Sequence, residues 1–236
     1  MPITRLHLIR HALVEPSARL TAYGAMDVPL CALALAEEVS AHAWLAGRLP
    51  RPARWYCTPL SRTRATAAAI FAAGYPAAEP IVLDALVEQR LGEWEGLAHD
   101  AFVAMLTLPA HPFWMHGADE KPPGGESFRD VMDRVGPALE RIVAENPDGD
   151  AVIVAHGGSI RAAVACAMEL SPFQALQFSV KNLSLTRLES EGGSWRVVTV
   201  NEEPPFPVPV VSGGAPPEAV SANRLDSVLA PPQPPL

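Results

Sequence analysis

The feature that most constrains the fold is the apolar run at residues 151–155, which stops abruptly at His156-Gly157-Gly158-Ser159. It shows no alternation of polar and apolar residues, so both faces must be covered, the pattern of a central strand in a parallel sheet. Parallel neighbours can only be joined by long crossovers, usually helices, and the rest of the chain supplies them. Residues 4–9 have strand character and run directly into Arg10-His11-Ala12. Residues 54–57 and 81–83 read as two further strands. Residues 33–49 are rich in Ala and Leu, carry Glu37 and Glu38 on one side and end at Pro50 and Pro52, which predicts a helix. A turn and cap at Thr58-Pro59-Leu60-Ser61 predicts another over residues 62–73, closed by Gly74. Phe128, Val131, Met132, Val135, Leu139, Ile142 and Val143 fall at helical spacing behind the cap Ser127, with a kink or register shift expected at Pro137. A last helix is expected over residues 160–170. Residues 183–188 and 195–200, separated by Glu191-Gly192-Gly193, alternate as a β-hairpin does. The expected class is α/β, a three-layer α/β/α arrangement with a largely parallel central sheet and an antiparallel edge hairpin.

Ligands in such sheets bind beyond the carboxyl ends of the strands. Arg10-His11 and His156 both stand at such ends, so the two histidines are expected to face one pocket. A phosphomonoester repels nucleophiles through its negative oxygens. Its cleavage needs cationic donors around phosphorus, an in-line nucleophile and an acid for the leaving oxygen. Neutral imidazole is a competent nucleophile near pH 7, which gives His11 that role. Arg10, Arg62 at a helix start, a charged His156 and the amide of Gly157 would neutralise the phosphoryl oxygens.

These residues sit in a series of motifs that resembles the histidine phosphatase superfamily, also called phosphoglycerate mutase-like. Leu8-Ile9-Arg10-His11-Ala12 is similar to its RHG motif, Gly24 to Leu30 to its GxxDxPL segment and Thr58-Pro59-Leu60-Ser61-Arg62 to SPLxR. Leu86-Val87-Glu88 with Gly92-Glu93-Trp94-Glu95-Gly96 resembles LxE…GxWEG, and Pro123-Gly124-Gly125-Glu126-Ser127 and His156-Gly157-Gly158 complete the order. The resemblance spans residues 4 to about 201. It implies the quartet Arg10, His11, Arg62 and His156, with Glu88 as acid in the first step and base toward water in the second. Ala12 departs from the usual glycine, which is tolerable unless φ there is positive. Ser17 stands where many members carry a phosphate-binding asparagine, so it is expected as an extra phosphate donor.

The catalytic domain is expected to fill residues 1–203, with a lid-like insertion at 97–125. Ten prolines after Glu203 predict a disordered or polyproline-like tail at 204–236. No run of about 18 apolar residues appears, and no basic-then-apolar leader follows Met1, so a cytoplasmic protein is expected. The net charge of -8 argues against nucleic acid and anionic membranes as partners, leaving a small phosphomonoester and, among proteins, a homodimer. Of the 18 basic residues only Lys121 and Lys181 are lysines, so an anion pocket must be built from arginine. Cys31, Cys57 and Cys166 lack metal-ligand spacing and read as packing residues, and neither a metal nor another cofactor is expected. His7 reads as a packed histidine, Arg64, Arg90 and Arg161 as surface or salt-bridging residues, and His111 and His116, near Trp114, as candidate lid contacts.

Three functions compete. The first is a metal-independent phosphatase working through a phosphohistidine, with the motifs resembling the α-ribazole phosphatase branch of cobalamin biosynthesis and the broad-specificity phosphatases. The second is phosphoglycerate mutase-type transfer, disfavoured by Glu88-Gln89-Arg90-Leu91-Gly92 in place of an ERHYG-type segment. The third is a catalytically silent phosphate-binding module.

Overall fold

The structure, a computed structural model, describes residues 2–205. The expected tail therefore lies outside the described residues, apart from its first two positions. Six strands form one sheet: β1 (Ile3–Arg10), β2 (Arg54–Cys57), β3 (Ile81–Val82), β4 (Asp150–Ala155), β5 (Leu185–Glu191) and β6 (Ser194–Glu202). They stand in the order β3-β2-β4-β1-β5-β6. The first four are parallel, whereas β5 runs antiparallel to β1 and β6 to β5. The β5–β6 turn is Gly192-Gly193, both at positive φ, the conformation a two-residue hairpin turn of matching twist demands.

Among the described residues seven α-helices join the strands: α1 (Ala32–Glu37), α2 (Val39–Arg48), α3 (Ser61–Ala72), α4 (His99–Ala104), α5 (Phe128–Glu145), α6 (Gly157–Ala167) and α7 (Pro172–Ala175). The continuous apolar run of β4 is explained by its two neighbours in depth. Ala151, Ile153 and Ala155 face the cluster built with Phe128, Val131, Val135 and Leu139 of α5 and Ile160 and Val164 of α6. Val152 and Val154 face the other cluster, with Leu45 of α2, Ala67 and Ile70 of α3, and Trp55. The three-layer expectation holds.

Three local expectations need correction, and the proline inside α5 needs an account. The single helix over 33–49 is two helices, because Glu38 breaks it. Its ψ is 14°, and its carboxylate is turned inward to accept the N–H of Leu13 rather than lying beside Glu37 on the surface. Pro137, where a kink or register shift is expected, lies inside α5, which is continuous through it. Proline inside a helix costs about 3 kcal/mol. Phe128, Val131, Val135, Leu139 and Ile142 are each buried to 1% exposure or less, at about 1.5–3 kcal/mol per side chain, so burial outweighs the break. Helix α3 starts at Ser61, one residue early, because its cap comes from a distant loop: an Asp27 carboxylate oxygen accepts from the Ser61 N–H at 2.7 Å and from its hydroxyl at 2.6 Å. Helix α6 starts at Gly157, so the glycines after His156 are its first turn and not a preceding loop.

Candidate active site

β1 and β4 are adjacent and parallel, with Arg10 paired to Ala155. Their carboxyl ends therefore deliver His11 and His156 side by side, ring centroids 5.2 Å apart. Both are almost fully buried. His11 Nδ1 lies 2.7 Å from the carbonyl oxygen of Ala12. A carbonyl only accepts, so Nδ1 carries the proton and Nε2 keeps its lone pair, the arrangement a nucleophile needs. Burial, then the Arg10 and Arg62 charges, hold the His11 pKa well below its ordinary value, so the ring is neutral.

His156 is tied on both nitrogens. Nδ1 accepts from Arg62 Nε at 3.2 Å, so the proton is on Nε2, which donates to Thr58 Oγ1 at 2.9 Å. The charged His156 expected from the sequence is not what the resting site holds. Burial, then Arg62, His11 and Arg10, push its pKa well below the imidazole range. Desolvation of an imidazolium beside two arginines is the physical reason.

Arg62 is fully buried. Its guanidinium donates to the carbonyls of Met26 and Gly24 as well as to His156. The GxxDxPL segment thus acts on the site twice, with backbone carbonyls that aim Arg62 and with the Asp27 cap on the helix that carries it. Arg10 donates to Val180 O at 2.6 Å, and its Nε is buried without a partner.

Glu88 reaches the same place from the opposite side. Its two carboxylate oxygens each accept from the Gly158 N–H at 3.1 Å, and Oε1 also accepts from the Gln89 N–H. A Cβ on Gly158 would sit 2.1 Å from Glu88 Oε1, so only glycine admits this approach. The loop bearing Glu88 is clamped by Arg134, which donates to the carbonyls of Ala85, Val87 and Glu88 while binding Glu126 through Nε and Nη2. Glu126 belongs to the PGGES motif, whose Gly125 packs against Arg90 O so closely that a Cβ would stand 2.6 Å from it. The WEG motif works in the same way. Glu95 accepts from Leu91 N and Ala25 N, stitching the Glu88 loop to the Arg62 loop.

The structure brings Arg10, His11, Arg62, His156, Glu88 and Gly157 together. Gly157 contributes a first-turn N–H of α6, one of the groups a helix leaves without an internal partner. Ser17 is not drawn in: it is exposed at the start of a single 3-10 turn and its hydroxyl caps nothing. Ala12 is buried, does not appear among the positive-φ residues and donates to Thr66 Oγ1, so the departure from glycine costs no strain. His116 is buried and bonded to Gln89 and Gly117, an internal brace of the 97–125 segment. His111 is buried against Phe173. His7 is paired with Asp150 at 2.8 Å, and Arg90 with Asp84 and Glu126. Arg161, expected on the surface or in a salt bridge, is neither: it is 7% exposed, and no ion pair holds it among the described residues.

Sequence reasoning missed Thr58, Asn182 and Arg161. Asn182 Nδ2 donates to the carbonyls of His11 and Ala12 at 2.7 and 3.3 Å. Nothing in its sequence surroundings marks it, whereas Thr58 lies inside the SPLxR-like segment and Arg161 three residues beyond His156-Gly157-Gly158. Among the described residues no group of three or more His, Cys, Asp or Glu is arranged to hold a metal ion, the three cysteines are free, and no helix is long and apolar enough to cross a membrane.

Comparison with known proteins bears on this arrangement. Residues 6–203 match the family profile described as histidine phosphatase superfamily (branch 1). A glucosyl-3-phosphoglycerate phosphatase of Mycolicibacterium vanbaalenii is 33% identical over 178 residues, 72% of this chain and 76% of that one. A 2,3-bisphosphoglycerate-dependent phosphoglycerate mutase of a Methylobacterium species is 33% identical over 162 residues, 67% and 78% of the two chains. A bifunctional protein of Mycobacterium tuberculosis is 31% identical over 193 residues, 81% of this chain, which spans only 52% of that protein's length. The native structure of a mycobacterial glucosyl-3-phosphoglycerate phosphatase superposes with a TM-score of 0.71 at 27% identity, covering 85% of this chain and 100% of the other.

Proposed function

The chain belongs to the histidine phosphatase superfamily, and from that premise we propose that it is a phosphoric monoester hydrolase that passes the phosphoryl group of a small ester through His11 to water. The observation that carries this reading is the neutral His11, its Nε2 lone pair free and its Nδ1 proton committed to Ala12. In the first step Nε2 attacks phosphorus in line while Arg10, Arg62 and the Gly157 N–H take the charge of the phosphoryl oxygens. Glu88 protonates the leaving oxygen, then draws a proton from the water that breaks the N–P bond. No metal is needed in this scheme. An incoming dianion favours the protonated form of His156, which lets the ring donate to a phosphoryl oxygen in exchange for its Arg62 contact.

The substrate is a narrower question. The notion of α-ribazole 5′-phosphate rests on motif likeness, whereas the relatives named above carry 3-phosphoglycerate derivatives or bisphosphoglycerate in their names. We place a phosphoglycerate-type ester first. Hydrolysis rather than mutase transfer is favoured by the segment after Glu88, where Gln89 binds His116 and the Glu126 carbonyl and so braces the lid.

The test is phosphate release from p-nitrophenyl phosphate between pH 5 and 7 with excess chelator, in the wild type and in His11→Ala. Turnover that survives chelation and falls by at least about a thousandfold in the variant is expected, on the scale of losing an activated nucleophile. Turnover restored only by a divalent metal would defeat the proposal, as would 2,3-bisphosphoglycerate-dependent isomerisation that outruns hydrolysis.

A further inference from the structure

Arg161 is a buried cation held in no ion pair among the described residues, with the Glu88 charge acting on it only across the pocket. It projects from α6, one turn beyond the His156-Gly157-Gly158 end, and is 7% exposed. Its Nε donates to Phe178 O at 2.7 Å, and its guanidinium carbon lies 4.5 Å from the centre of the Trp114 ring. Nη1 is buried with no hydrogen-bond partner. The same is true of Nε of Arg10. The two groups flank one point: a Cβ placed on Gly157 would stand 3.0 Å from Arg161 Nη1 and 3.4 Å from Arg10 Nε. Among the described residues no carboxylate lies within ion-pair distance of either arginine. Two guanidinium groups brought this close in a buried setting repel each other, and each has an unsatisfied donor; Glu88 offsets part of that cost from a distance, and an anion bound at contact distance would recover the rest.

Arg10 is accounted for by the phosphoryl group, and Arg161 is in excess of what that group needs. We infer that Arg161, roofed by Trp114, forms a second anion subsite beside the phosphoryl pocket and selects esters that carry a carboxylate near the phosphate. A carboxylate fits better than a second phosphoryl group. The Trp114 ring covers one face of the guanidinium and Phe178 O takes Nε, leaving an edge, and an edge matches a planar acceptor. The inference rests on the phosphatase reading of the same pocket and narrows its substrate to phosphorylated hydroxy acids.

The matched probes are 3-phosphoglycerate and glycerol 3-phosphate, which differ only in carboxylate against hydroxymethyl. In the wild type kcat/KM should favour 3-phosphoglycerate by at least about tenfold, the effect of one charge-assisted hydrogen bond. In Arg161→Met that ratio should collapse to near one, and Arg161→Lys should retain part of it. A ratio unchanged by Arg161→Met overturns the inference. So does a parallel loss on both esters, which would assign Arg161 to the phosphoryl group itself. Calorimetric binding of the two esters to His11→Ala, with and without Arg161→Met, separates this inference from the reaction. An Arg161-dependent preference in binding supports the subsite even if phosphate release proves not to depend on His11, and its absence refutes the subsite even if hydrolysis is confirmed.

Discussion

At the scale of single residues, the site depends as much on what is missing as on what is present. Gly158 is helical and its φ is ordinary, so alanine there would be unremarkable in backbone terms. The constraint is the 2.1 Å that would separate its Cβ from Glu88 Oε1. Gly158→Ala should force the carboxylate away and remove the acid while leaving His11 and the arginines in place. General acid catalysis contributes about a hundred- to ten-thousandfold. The variant is expected to lose roughly a hundredfold in kcat on an alkyl phosphate and much less on p-nitrophenyl phosphate, whose leaving group departs without a proton. Steady-state kinetics on the two esters checks this. Equal losses on both would mean that Glu88 does not serve as the acid. The neutral His156 belongs to the same scale: its two nitrogens are already spent on Arg62 and Thr58, so its charge is a property of the occupied site and not of the residue.

Among elements, α3 shows how a motif without reactive groups governs one with them. Its first turn has no side-chain cap of its own, since Leu60 occupies that position. Asp27 supplies the cap from 34 residues away, and the neighbouring Gly24 and Met26 carbonyls fix the Arg62 guanidinium. Loss of a helix cap costs about 1 kcal/mol, which corresponds to a fall in Tm of roughly 2–4 °C in a chain of this size. Asp27→Ala should show that fall in thermal denaturation together with a rise in KM, because the loop that aims Arg62 loses its anchor. A lowered Tm with KM unchanged would confine Asp27 to capping. The Arg134–Glu126 pair plays the equivalent part for Glu88, binding three carbonyls of its loop from α5.

For the whole molecule, acidity is the informative variable. His7, His11, His42, His111, His116 and His156 all have pKa values pushed down, in each case by burial first. Below the ordinary value of 6.5 the unfolded chain takes up protons that the folded chain refuses, so stability is lost as pH falls from about 6.5. Each histidine contributes at most about 1.4 kcal/mol per pH unit. Glu38 acts in the opposite sense. Burial, and then the neighbouring Glu37 charge, raise its pKa to about 7 from 4.5, so its contribution is present in acid and fades as pH rises through 7. Tm should therefore fall steadily between pH 6.5 and 5, with Glu38 offsetting part of the loss, and level off above about pH 7. A scan of thermal unfolding across pH 5–8 that stayed flat below 6.5 would show that the buried histidines accept protons in the folded state. The net charge of -8 belongs here too. An anionic substrate finds its attraction only locally, where Arg10, Arg62 and Arg161 converge beneath the carboxyl ends of β1 and β4.

Much of this was legible before any coordinates. The unbroken apolar run of β4 demanded cover on two faces, and the two histidines at strand ends demanded adjacency once the strands were parallel neighbours. These follow from the chain's own periodicity and from the fixed geometry of parallel sheets. Other features depended on partners remote in sequence. Glu38 turned inward because Leu13 offered an N–H there, α5 survived Pro137 because α6 and β4 buried its face, and α3 took its cap from Asp27. The neutral resting state of His156 and the burial of Arg161 were not legible in the sequence for the same reason. Desolvation is a property of what surrounds a group, and a sequence states a residue's chemistry without stating its surroundings.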